Sequence, residues 1–267
     1  MKIAFIGCGV MGEAILKSLL AKGLVSPQEV TASDVSQSRC QLLSQRYGIS
    51  CLQDNRRAAA GAEVIVLAIK PQNLNQIMVD LKGLLNPHQL VVSIIAGAHL
   101  ADMTQGLNHN SIVRAMPNTP AQIGQGMTVW TSSSGLSQPH LEAARAVLSS
   151  LGKEIYVSDE KYIDMATAVS GSGPAYVFLF IEAFIDAAVH IGFSREVASE
   201  LVMETVLGSA RLVKESGKHP AELRNMVTSP GGVTAEALLC LERGGLRALL
   251  TQAVIEGYNK AGGLHHK

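Results

Sequence analysis

The sequence carries no surplus of either charge, no closely paired cysteines and no unbroken apolar run long enough for a bilayer. Its 22 basic and 22 acidic residues cancel, so a nucleic-acid surface, which draws on a basic excess, is not expected. The four cysteines, Cys8, Cys40, Cys51 and Cys240, are scattered and form no CxxC pair. Without that spacing no metal site or disulfide framework is expected, and the reading is reduced core thiols. The most apolar long segment, Ala175 to Ile191, is interrupted by Glu182, Asp186 and His190, whereas a spanning helix needs about 20 apolar residues. No membrane association is expected. The first residues enter a strand directly, with neither a signal h-region nor a transit peptide, which makes a cytoplasmic location the expectation. The closing His265-His266-Lys267 is too short to bind a metal and reads as a loose tail. There is no internal repeat and no low-complexity linker.

What is present is apolar substance and glycine punctuation. A hydrophobic content of 47% against 16% charged residues describes a buried globular chain, and 267 residues suffice for two modest domains or one large one. Residues 1–160 alternate strand-like and helix-like segments. Strands are predicted at Lys2–Ile6, Glu29–Ser33, Glu63–Ile69, Leu90–Ile95, Ser111–Ala115, Met127–Thr131 and Glu154–Val157. VIVLAI and LVVSII lack polar alternation, as expected when helices cover both faces of a sheet. This predicts an α/β fold with a parallel, doubly wound, Rossmann-like sheet. From 161 to 267 helices dominate: Pro174–Ile191, Ser194–Ser216, Pro220–Val227, Gly232–Arg243 and Leu246–Ala261. The first is apolar nearly all round apart from the Glu182, Asp186, His190 stripe, which calls for burial. A subunit interface is one route and the monomer core the other.

Two glycine-rich turns carry the chemistry. Gly7-Cys8-Gly9-Val10-Met11-Gly12 follows the first strand and precedes a helix, with Asp34 further on. In that setting Gly7 permits the tight turn, Gly9 clears space for a pyrophosphate, and Gly12 lets helix and strand pack closely; the plain alternative is an ordinary strand-to-helix turn. At the second strand end, Asp34 suits a 2′-hydroxyl, while Ser33 and Arg39 suit a 2′-phosphate, so NADH and NADPH both stay open. Lys70-Pro71 lands at the carboxyl edge of the third predicted strand, where a lysine is usually just solvated. Arg114 to Pro120 reads as a rigid turn, and Ser170-Gly171-Ser172-Gly173-Pro174 as a helix start. Far along the chain, Thr228-Ser229-Pro230-Gly231-Gly232-Val233-Thr234 reads as an N-cap with proline at the first helical position. Its glycines leave backbone N–H groups open to an anion.

GCGVMG, LAIKP, RAMPNTP, SGSGPAY and PAELRNMVTSPGGVTAEALLCLE occur in that order, and with them the chain resembles the pyrroline-5-carboxylate reductases over nearly its full length. The last motif is highly specific; the first is shared with many dehydrogenases. The resemblance implies an N-terminal dinucleotide-binding domain and a helical domain for substrate binding and dimerisation, assembled as a homodimer or higher homo-oligomer. It implies NADPH or NADH as cofactor and reduction of 1-pyrroline-5-carboxylate to proline. It implies that Ile6, Gly7, Cys8, Gly9, Val10, Met11 and Gly12 cradle the phosphates and that Ser33 and Asn55 lie towards the adenosine ribose. Ala68, Ile69, Lys70 and Pro71, with Ile94, Ile95 and Ala96, would line the nicotinamide side. Ser229, Gly231, Gly232 and Val233 would present donors to the substrate carboxylate, with the Thr234 hydroxyl beside the ring nitrogen as the catalytic contact. Asp34 departs from NADPH-preferring relatives. A related family, the β-hydroxyacid dehydrogenases, places a catalytic lysine on a helix of its second domain. Here no lysine lies between Lys161 and Lys214, which favours imine over alcohol chemistry. Two alternatives stand beside this reading: reduction of another cyclic imino acid, and a non-catalytic dinucleotide-sensing module.

Overall fold

The computed structural model describes residues 1–263; the predicted tail at 265–267 lies outside the described residues. The chain divides into two compact units, one from Met1 to Ser172 with the chain from Gly257 onward, the other Gly173–Glu256.

In the first unit, eight strands form one sheet: β1 (Ile3–Ile6), β2 (Val30–Ser33), β3 (Ser50–Leu52), β4 (Val64–Leu67), β5 (Leu90–Ser93), β6 (Ile112–Met116), β7 (Gly126–Ser132) and β8 (Gly152–Tyr156), in the order β3-β2-β1-β4-β5-β6-β7-β8. The helices between them are α1 (Val10–Ala21), α2 (Gln37–Tyr47), α3 (Asn55–Ala59), α4 (Leu74–Leu81), α5 (Leu100–Leu107), α6 (Gln138–Ser149) and α7 (Lys161–Ala166). Alternate strand residues feed two cores. Ile3, Phe5, Val64, Val66 and Val92 pack with Ile15 and Leu19 of α1 and Val147 of α6. Ala4, Ile6, Ile65, Leu67 and Val91 pack with Ile77 of α4 and Met103 of α5. Burial on both faces is why these strands show no polar alternation.

All seven predicted strands are present to within a couple of residues, and β3 is added. Two features differ from the expected pattern. β7 pairs antiparallel with β6, so the sheet is not wholly parallel. Residues 167–171 form a π-helical turn that joins α7 to the next helix, so the SGSGP segment continues a helix where a capped start was expected.

The second unit is helical: α8 (Gly173–His190), α9 (Arg195–Ser216), α10 (Pro220–Met226), α11 (Val233–Arg243) and the start of α12 (Leu246–Gly262). Ser194 caps α9 by accepting from the Val197 N–H, and Gly217 closes it at φ +65°. α8 packs against α9, yet Phe178 and Leu179 of α8 are 58% and 67% exposed, and Leu201 and Leu212 of α9 are also exposed. The monomer therefore leaves this apolar face uncovered. By length and composition alone, the helical run Lys161–His190 is long and apolar enough to cross a membrane.

Candidate functional site

The sheet register assembles the first half of the site. β1 lies between β2 and β4, with Ile6 opposite both Ser33 and Leu67, and Leu67 opposite Ser93. The residues that follow these positions therefore emerge together at the carboxyl edge: the glycine turn Gly7–Gly12, Asp34, Ala68–Pro71 and Ile94–Ala96. That edge, where successive connections leave in opposite directions, is where open α/β sheets bind ligands. Gly7 has φ +76°, and a Cβ there would sit 2.5 Å from Ile69 Cγ2. A Cβ on Gly12 would lie 3.1 Å from the Gly7 carbonyl oxygen and 3.2 Å from Ala68 Cβ. A Cβ on Gly9 would touch no protein atom, so packing within the chain does not demand that glycine, and the space over it is open. α1 begins right after Gly9 with no side-chain cap, which leaves its first N–H groups open to an anion. The residues fit a dinucleotide pyrophosphate.

Several predicted positions can act only through backbone. Ile6, Cys8 and Ile95 are buried, and burial pushes the Cys8 thiol up to about 12. The Ser33 hydroxyl is buried too and donates to Asn55 Oδ1 at 2.8 Å, while Asn55 Nδ2 donates to Asp80 at 3.0 Å. Gly9, Val10, Lys70 and Pro71 are exposed, and Met11, Ala68, Ile69, Ile94 and Ala96 are half-buried. A groove of about 510 Å³ beside this edge is lined by Pro71, Leu74, Met78, Ala96, Gly97 and Asp102.

The bracing of the glycine turn was not foreseen from sequence. The Cys8 N–H donates to Asp34 Oδ2 at 3.2 Å, and the Ser36 N–H donates to Asp34 Oδ1 at 3.0 Å. Arg39 Nε donates to the Cys8 carbonyl at 2.8 Å. Glu13 then ties three side chains together, accepting from Arg39 at 2.5 Å, Arg46 at 2.8 Å and Tyr47 at 2.7 Å. Burial pushes the Glu13 carboxyl up, but the Tyr47, Arg39 and Arg46 hydrogen bonds outweigh it and hold it below the usual range.

A second network lies around the start of α5, just beyond Ile94–Ala96. Arg114 on β6 is fully buried and donates to Glu160 at 2.8 Å and Asp164 at 2.6 Å. Its guanidinium also meets His99 Nδ1 at 3.1 Å, and Glu160 accepts the Leu100 N–H at 2.8 Å. The arginine of RAMPNTP is thus a strand residue locking α7 and the start of α5. Asn118 of the same motif accepts from the Met127 N–H at 2.8 Å and donates to the Ser170 carbonyl of the π turn at 3.0 Å.

In the helical unit, the second glycine turn differs from its predicted form. Ser229 is not the helix cap. The Gly232 N–H donates to the Ser229 carbonyl at 3.0 Å, closing a turn with Pro230 and Gly231 at its centre and Gly231 at φ +67°. Proline followed by a positive-φ glycine suits a type II turn. Gly232 becomes the cap and α11 starts at Val233. The first helical bond is donated by Ala235, so the Val233 and Thr234 N–H groups precede the ladder and point ahead of the helix. Val233 is 90% exposed and Thr234 half-buried in that first turn.

Among the described residues, no three His, Cys, Asp or Glu side chains are grouped to hold a metal. The family model described as pyrroline-5-carboxylate reductase dimerisation matches residues 160–264, and that described as NADP oxidoreductase, coenzyme F420-dependent, matches residues 2–97. The pyrroline-5-carboxylate reductase of Synechocystis sp. is 40% identical over 98% of this chain and 97% of its own length. The chain belongs to the pyrroline-5-carboxylate reductase family. Solved structures of pyrroline-5-carboxylate reductases share its fold. The one from Coxiella burnetii has a TM-score of 0.90 at 36% identity, covering 100% of this chain and 99% of that one. The Plasmodium falciparum pyrroline carboxylate reductase, with NADP bound, has a TM-score of 0.91 at 30% identity, covering 99% and 98%. The helical unit of this pyrroline-5-carboxylate reductase family member falls within the family's dimerisation region, so the chain assembles with copies of itself.

Proposed function

We propose that the chain is a cytoplasmic reductase of 1-pyrroline-5-carboxylate, forming L-proline in the last step of proline biosynthesis with NADPH or NADH as hydride donor. The observation that carries it is the pair of uncapped glycine-rich helix starts, one at the switch point of the sheet and one at α11. Each takes one anionic reactant: the dinucleotide pyrophosphate on Gly7–Gly12, the substrate carboxylate on Ser229–Val233.

The bound dinucleotide supplies the hydride. The chain's own task is to orient and to exclude water, because a protonated cyclic imine is already an electrophile and needs no strong general acid. Ser229, Gly231 and Val233 offer donors to the carboxylate. Gly232, whose N–H closes the turn, keeps the approach open. The Thr234 hydroxyl stands beside the ring nitrogen. Ser33 and Asn55 sit at the ribose end, with Ala68–Pro71 and Ile94–Ala96 on the nicotinamide side. Residues 1–160 form the dinucleotide-binding domain, and residues 161–267 the substrate-binding and dimerisation domain. The uncovered face of α8 and α9 takes a second copy, not lipid or nucleic acid, and the two copies interlock their helices.

The test follows the absorbance of NADPH and NADH with the five-membered imine carboxylate and its six-membered analogue. Turnover of the five-membered ring supports the reading. Turnover confined to the larger ring makes the chain a different imino-acid reductase, and binding of dinucleotide without turnover of either makes it a sensing module.

A further inference from the structure

Two cysteines that form no CxxC pair in the sequence meet beside the second strand of the sheet. Cys51 lies on β3 opposite Ala32 of β2, and Cys40 lies on α2, which packs against β3. The sulfurs are 2.6 Å apart. Cys40 Sγ also lies 3.3 Å from the Leu52 carbonyl, the same oxygen that accepts the Asp34 N–H at 3.1 Å. Cys40 is buried, Cys51 is half-buried and reachable from solvent, and Cys240 is exposed in the other unit. A disulfide needs the sulfurs at about 2.05 Å, roughly half an ångström closer than they stand.

We infer that Cys40 and Cys51 are a covalent modification site, closing to an intramolecular disulfide in the presence of a small-molecule disulfide of the glutathione class. The Cys51 thiolate attacks one sulfur of oxidised glutathione, giving a mixed disulfide and releasing one glutathione thiolate. Cys40 then attacks Cys51 Sγ, the bond to glutathione breaks, and a second glutathione leaves. The protons of the two cysteines end on the two glutathiones, so the cysteines are oxidised and one glutathione disulfide is reduced. Burial, and then the adjoining Cys40, push the Cys51 thiol up, which makes the first attack slow. The second is favoured because the partner sulfur is already in place.

The whole protein is equilibrated in a glutathione redox buffer, quenched by alkylation and digested with trypsin without reduction. Cleavage after Arg39, Arg46 and Arg56 puts the two cysteines in separate peptides, residues 40–46 and 47–56. The expected result is a peptide pair joined through Cys40 and Cys51, with an oxidation equilibrium constant at least about tenfold above that of the urea-unfolded chain. In Cys40→Ser, Cys51 should accumulate as the glutathione adduct; in Cys51→Ser, buried Cys40 should stay unmodified. The inference is overturned if the parent shows adducts without the joined pair, or if folding does not raise the equilibrium constant. The parent measurement stands even where a serine variant fails to fold.

Discussion

Asp34 holds two backbone N–H groups at once, those of Cys8 and Ser36, so it shapes the glycine turn as well as the charge beside it. Asp34→Ser should weaken both dinucleotides by loosening the turn, on the order of tenfold for a lost charge-assisted bond. It should weaken NADPH less, because a like charge facing a 2′-phosphate goes with it. Comparing kcat/KM for NADPH and NADH in parent and variant checks this, and an unchanged ratio would place the carboxylate away from the ribose. Thr234, proposed to set its hydroxyl beside the ring nitrogen, is the second residue to test. Removing a hydroxyl that bonds a charged nitrogen costs roughly 1.5–3 kcal/mol, or about ten- to a hundredfold in rate. Thr234→Ala should lower kcat/KM by that factor with cofactor affinity kept, and Thr234→Ser should retain much of the activity. An alanine variant within about twofold of the parent would remove Thr234 from the chemistry. His109 sets a pH effect on the fold. Its ring is buried, with Nε2 2.8 Å from the Gln89 carbonyl. Burial lowers its pKa despite that carbonyl's opposing pull. The unfolded ring takes up a proton near pH ~6.5 and the folded ring only lower, so the unfolded state binds more protons as pH falls and stability drops. This contribution is fully present above about pH 6.5 and fades as pH falls through the lowered value. His109→Gln should flatten the slope of Tm against pH over that range.

At the level of elements, Arg114 couples β6 to α7 and to the α5 start through Glu160, Asp164 and His99. Arg114→Met fills the space but takes the guanidinium away from both carboxylates. Breaking such a pair costs about 3–5 kcal/mol, and urea unfolding should register most of it. A loss under about 1 kcal/mol would mean that water replaces the guanidinium. The same network marks where reading from sequence stops. Runs such as Val64–Leu67 announce a strand because both faces are apolar, and the glycine spacing at Gly7–Gly12 announces its turn because the constraint is on backbone. β3 gave no such sign: Ser50-Cys51-Leu52 is three residues with an exposed start. The antiparallel direction of β7 is a matter of connection, not of residue type. The π turn at 167–171 and the Ser229–Gly232 turn use the same Ser, Gly and Pro vocabulary as helix caps, so composition could not separate them. The Glu13 hub draws on Arg39, Arg46 and Tyr47, and the Cys40–Cys51 approach depends on how α2 packs against β3. Neither partner set is adjacent in sequence.

For the whole molecule, the exposed apolar faces of α8 and α9 tie stability to assembly. A hydrophobic obligate interface buries about 2,000 Å² or more, and a fold completed by its partner becomes more stable as concentration rises. Sedimentation should therefore give a dimer or larger, and Tm should climb with dilution reversed; an active monomer at micromolar concentration would contradict this. Phe178→Asp should shift the assembly towards monomer and lower Tm, while a charged replacement at Val35, exposed in the other unit, should leave assembly unchanged. The strand order also has a consequence for how the chain is made. β1 lies inside the sheet, and β4, the strand on one side of it, comes some sixty residues later in the chain, Ile3 pairing with Val64. At about 5–20 residues per second, that partner arrives several seconds later. Through that interval the nascent chain carries an apolar strand with an open edge, a template for other chains. A translational pause while β4 is still unmade or inside the ribosome should raise aggregation of the nascent protein, and the same pause once Val64–Leu67 has emerged and can close the edge should not.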